Sequence, residues 1–174
     1  MGFFAETIAA TGKRPRGYAE RALVGIPSEK FARKPVVGGV TIETNHPAFV
    51  YGHLALYPAR VFALLGQDAG AAGTPPAWTD LFKAGAPCRD DPQGTIYPRM
   101  AEITSAFMRN YDAALAAVAK ADDAVFAKPL PDENYRQHFP TIGIAALVFL
   151  NNHVAMHMGQ VSAWRRCMGL GPVG

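Results

Sequence analysis

The chain is short of cysteine, of strand patterning and of long apolar runs, and each shortage removes a class of protein. Its two cysteines, Cys88 and Cys167, cannot build a disulfide framework or a four-cysteine zinc site. Free thiols fit a reducing compartment, so a cytoplasmic location is expected. The longest apolar run, Ile142 to Leu150, falls well short of the roughly 20 residues that span a bilayer. The start, Met1-Gly2-Phe3-Phe4-Ala5-Glu6, lacks the basic stretch and apolar core of a signal peptide, and Glu6 stands where a myristoylation signal wants Ser or Thr. No membrane partner is expected. Charge is scarce too: 17 Lys and Arg against 14 Asp and Glu leave only +3. The early basic cluster, Lys13 to Lys34, is interrupted by Glu20 and Glu29 and interleaved only by Tyr18 and Phe31. That pattern reads as a solvated helix face and loop, and no nucleic-acid partner is expected.

What the chain does have is helical periodicity. Its 174 residues suffice for one domain, 1–174, with a core that needs no staples. Four helices are predicted, at about 3–24, 47–65, 98–120 and 141–168. Pro15 predicts a kink or break in the first. The second starts at Asn45 or His46 as cap with Pro47 in its first turn, carries Phe49, Val50, His53, Leu54, Tyr57 and Val61 at helical spacing, and should bend at Pro58. Residues 36–42 look briefly β-like but are broken by Gly38 and Gly39, so a loop is expected. Residues 67–96 form a long Gly/Pro-rich connection in which Trp78, Leu81 and Phe82 would pin a helical turn to the body; it reads as either a lid or a packed crossover. The predicted fold is all-α, a four-helix bundle with one long crossover loop.

The histidines carry the chemistry. His153 and His157 are one turn apart, so their Cβ atoms stand about 5–6 Å from each other on one helix face. They continue the apolar stripe of Ala146, Phe149, Leu150, Gln160, Val161 and Trp164, and so point inward. Two such imidazoles can meet one metal ion, or they can be hydrogen-bonded core groups. Val154 follows His153, so the glutamate of a His-Glu-x-x-His protease is missing. His53 is a third inward histidine, and the neighbouring Gly52 would admit a close approach by another helix or a ligand. His46, about 10.5 Å of helical rise away, suits a cap or pocket rim better than the same ion. His138 falls in a loop. Gln160 and Tyr57, one turn from His157 and His53, could face the same pocket; core packing also explains Tyr57. Arg165-Arg166 fit the negative end of their own helix.

Gly52-His53-Leu54 within Pro47–Gly66, followed by His153-x-x-x-His157-x-Gly159-Gln160 and Arg165-Arg166, resembles the DinB-like (DinB/YfiT-like) metalloenzyme superfamily. The resemblance runs from Tyr18 to Leu170. It implies a four-helix bundle holding one divalent ion, zinc, nickel or iron, on His53, His153 and His157. It implies a transferase or hydrolase acting on a small, thiol-conjugated substrate, and a homodimer, for which Phe3, Phe4 and Ile8 offer apolar surface. The alternatives are a metal- or ligand-binding bundle without catalysis and a structural bundle whose histidines are core polar groups.

Overall fold

The computed structural model of the chain describes residues 2–173. It is 60% helix and 3% strand, which puts the chain in the mainly helical class. In chain order, α1 (Phe3–Ala22) is followed by a hairpin of β1 (Val36–Val37) and β2 (Val40–Thr41), then by α2 (Pro47–Ala55) and α3 (Tyr57–Leu64). The connection after α3 carries α4 (Ala77–Phe82) and leads to α5 (Met100–Lys120). A short α6 (Asp123–Phe126) precedes α7 (Ile142–Leu147), a π turn (Val148–Asn152) and α8 (His153–Cys167). Helix α1 lies against α5 and α8; α2 lies against α4, α5 and α8. Every residue of α2 is buried, which makes it the central helix.

Several expectations are corrected. Of the kink or break expected at Pro15, the break does not occur, since α1 continues through it. A proline removes a single amide donor, and the packing of α1 against two other long helices outweighs that loss. Close packing also explains Gly12, where a Cβ would meet Leu115 at 2.6 Å. The first amides of α1 have no cap of their own; Phe4 and Ala5 donate to the Asp123 carboxylate, each at 3.0 Å. The second predicted helix is split at Leu56 rather than bent. Pro58 cannot donate to Leu54, and the buried Asn110 amide donates to the Ala55 carbonyl at 3.4 Å across the break. The expected loop at 36–42 is a small antiparallel hairpin pairing Val36 with Thr41 and Val37 with Val40. Gly38 and Gly39, taken as breakers, are its turn, with φ of 58° and 81° that a side chain would oppose.

The last predicted helix contains the π turn, which no residue pattern announced. Taken as one run, Ile142–Cys167 is long and apolar enough by composition to cross a membrane, with 44% of its most apolar window buried. Its apolar side is spent on the core, where Ala146, Leu150, Val154, Met158, Val161 and Trp164 are all buried. Arg165 stands in the last turn of its own helix, as expected, and does more there. It is buried and donates to the carbonyls of Ala22 and Val24, at 2.9 and 2.7 Å, and to those of Leu170 and Gly171. It thereby ties the end of α1 to the C-terminal tail.

The long connection is packed, not open. Phe82 has no exposed surface and Trp78 is buried beside it, with ring centroids 5.4 Å apart. Past α4, the Asp91 carboxylate accepts amides from Thr95, Ile96 and Tyr97 at 2.9–3.1 Å and rounds off the loop. Tyr97 then accepts the Arg89 amide at 2.9 Å.

Candidate metal centre

Helices α2 and α8 bring three imidazoles together. His53 comes from α2, and His153 and His157 from the first turns of α8. Among the described residues they form the group of His, Cys, Asp or Glu side chains able to hold a metal ion, with ligand atoms all within 4.8 Å of one another. The Nε2 of His153 is 3.2 Å from that of His53 and 3.0 Å from that of His157. His53 and His157 are buried and His153 is half-buried.

The outer nitrogens decide what the inner ones can do. Nδ1 of His53 donates to the Phe82 carbonyl at 2.7 Å. Nδ1 of His157 donates to Gln160 Oε1 at 3.0 Å, and that oxygen also accepts from Asn45 Nδ2 at 3.2 Å. A neutral imidazole has one N–H, so both rings aim a lone pair inward from Nε2. His153 can offer one proton to these two lone pairs, and its own Nδ1 is buried without a hydrogen-bond partner. One shared proton cannot fully satisfy two lone pairs, so without a cation the inner nitrogens stay under-satisfied, while the outer Nδ1 of His153 lacks a partner in either case. A cation in the middle satisfies all three inner nitrogens. Nitrogens bound to one tetrahedral zinc stand about 3.3 Å apart, close to the spacing found. The donor set therefore fits a divalent ion of the zinc, nickel or iron type.

Burial holds these rings neutral. It lowers the pKa of His53 and His157, and it pushes His153 down to about 3 with help from its two histidine neighbours and Arg60. Neutral imidazole is the form that binds metal.

Gly52 makes the His53 anchor possible. A Cβ there would fall 2.4–2.5 Å from the Phe82 ring, so the missing side chain lets α4 settle on α2 and present its last carbonyl to His53. Tyr57 packs its ring against His153 and His53, with centroids 4.1 and 5.0 Å away. Burial raises its phenol pKa, so it stays protonated. His46 sits apart from the cluster. It is fully buried and caps α2, its Nδ1 accepting the Phe49 amide at 3.2 Å and its Nε2 donating to the Arg89 carbonyl at 2.9 Å. His138 is exposed. Sequence reasoning missed the Phe82 carbonyl, the Asn45 amide and Arg60. A backbone carbonyl carries no residue signal, and Asn45 stands 115 positions from the glutamine it orients.

A family model described as the DinB superfamily matches residues 13–161, a span that includes all three histidines, Tyr57 and Gln160. No curated protein and no solved structure matches the chain.

Two outcomes are expected. Gly52→Ala should lower stability by about 1–3 kcal/mol, the usual penalty for overpacking, because the buried Phe82 ring has nowhere to move. A denaturant midpoint equal to that of the parent protein would show that the ring can yield. In metal-free protein, stability should be full above about pH 6.5, the ordinary histidine value, and fall as the pH drops from there toward 4. The sign follows from proton uptake: the unfolded chain binds protons that buried His46, His53, His153 and His157 refuse. Thermal unfolding in chelator across that range checks it, and a flat profile would contradict the depressed values.

Proposed function

The chain belongs to the DinB superfamily, and we propose that it binds one divalent ion on His53, His153 and His157 and acts with it as a transferase or hydrolase on a small substrate. The observation that carries this reading is the convergence of the three Nε2 atoms, two of them committed as lone-pair donors by hydrogen bonds on the far side of the ring. Three protein ligands leave a coordination position free, the mark of catalytic rather than structural sites. The ion would supply Lewis acidity there toward a water or a substrate thiolate.

The chain's own groups supply the rest. Phe82 and Gln160 hold two ligand rings in one tautomer, and Asn45 holds Gln160. The Tyr57 phenol stays protonated, and its ring packs on His153. A thiol or thiol adduct is the substrate class that the family resemblance suggests. In this reading the four long helical stretches are the members of a four-helix bundle, with residues 67–96 as its crossover. Phe3 and Phe4, 76% and 49% exposed, belong to a homodimer interface, whereas Ile8, expected to join them, is buried in the chain's own core. A stable monomer in sedimentation at micromolar concentration would remove that part.

Zinc titration of protein purified without an affinity tag tests the site. One ion per chain is expected. Gln160→Leu should weaken binding by about 10–100-fold, as loss of a ligand's orienting partner does, and His157→Ala by more. His138→Ala and His46→Ala should keep the stoichiometry at one. Full affinity in the His157→Ala protein would refute the ligand set. Metal binding without turnover of any thiol adduct would favour the non-catalytic alternative.

A further inference from the structure

A cavity of about 710 Å³ opens beside His153, within the range of small-ligand sites. Leu64, Leu130, Phe139 and Phe149 make most of its wall apolar. Its polarity is concentrated in few groups, and they are unbalanced. Arg60 is the cation of the lining. Its guanidinium lies 4.9 Å from the centre of the Tyr57 ring, which also packs on His153. Among the described residues no carboxylate lies within ion-pair distance of it, although seven ion pairs form elsewhere. Asp132, the carboxylate of the lining, accepts the Asn134 amide at 3.0 Å. The three histidines add no negative charge of their own.

An open, mostly apolar cavity whose one cation, the exposed Arg60, has no carboxylate partner among the described residues selects its ligand by charge and by shape. The body must be apolar or aromatic, because burying a polar body against these walls would leave its groups unpaired. The head must be anionic. A single guanidinium matches a single charge, and its planar fork matches the two oxygens of a carboxylate. A phosphate monoester would bring close to two charges to one cation with Asp132 nearby.

We infer that the cavity binds an organic monocarboxylate, its apolar or aromatic body among Leu64, Leu130, Phe139 and Phe149 and its carboxylate on Arg60. This adds an apolar body and a carboxylate to what the substrate of the proposed reaction centre carries beside its thiol link, and rests on that reading for its catalytic meaning.

Calorimetry on the zinc-loaded protein with 4-phenylbutyrate, butyrate and 4-phenylbutylamine tests it. Phenylbutyrate should bind. Butyrate should bind at least about tenfold more weakly for want of apolar area. The amine should not bind measurably. Arg60→Gln should weaken phenylbutyrate by about tenfold or more, the scale of a lost charge-assisted hydrogen bond. Ala63→Phe, at an exposed position on the rim, should block entry without disturbing the core. Equal binding of the amine, or unchanged phenylbutyrate affinity in Arg60→Gln, overturns the inference. The same titrations in chelator keep the two readings apart. Carboxylate binding that depends on Arg60 in a protein that takes up no zinc would sink the metal site and leave the cavity assignment standing. Zinc uptake with no carboxylate binding would do the reverse.

Discussion

Three imidazole nitrogens are held so close that their lone pairs must share something positive, and the rest of the site is arranged around that constraint. His153 Nε2 stands 3.2 and 3.0 Å from its two neighbours. Left to themselves, neutral rings would turn away or exchange tautomers to avoid facing lone pairs. They are prevented from doing so at the opposite ring edge, where the Phe82 carbonyl holds His53 and the Gln160 amide oxygen holds His157. The geometry is thus set from outside the cluster. Burial keeps the rings uncharged, and a cation is the natural way to relieve what remains.

This outside support explains why so much chain is spent between α3 and α5. The connection looks extravagant for a compact helical protein, but α2 grips it at two points with two histidines. His53 donates to Phe82 at the end of α4, and His46 donates to Arg89 farther on. Asp91 and Tyr97 tie the remaining loop amides together, so the segment behaves as a packed wall. The two histidines differ in what their second nitrogen faces. His46 meets the Phe49 amide and is fully satisfied as a cap, whereas His53 meets another imidazole. At the cap the histidine is fully satisfied, whereas within the helix it keeps one nitrogen facing the cluster.

The approach of α8 has a comparable device. The π turn at Val148–Asn152 comes immediately before His153. Its Leu150 carbonyl receives the buried Tyr111 hydroxyl of α5, so the irregular turn is held by a neighbouring helix. A π turn changes the facing of the residues that follow it relative to those before it, and here those residues begin with a histidine of the cluster. Phe149, inside the turn, packs on Tyr57 with centroids 5.3 Å apart and becomes part of the cavity wall.

Residue spacing alone determined the helices, the inward direction of His153 and His157, the pairing of His53 with a small neighbour, and the separate role of His46. These are local properties: a 3.6-residue period, a one-turn interval and a proline at a helix start act through neighbours in the chain. Tertiary structure decided the rest. It carried α1 through Pro15, turned Gly38-Gly39 from a break into a hairpin turn, and inserted a π turn where periodicity showed one continuous helix. It also chose the tautomers, because the groups that hold them, a backbone carbonyl from α4 and an asparagine ahead of α2, lie far away in the chain. Which nitrogen of a histidine is free depends on what its other nitrogen touches, and that contact exists only once the helices have packed.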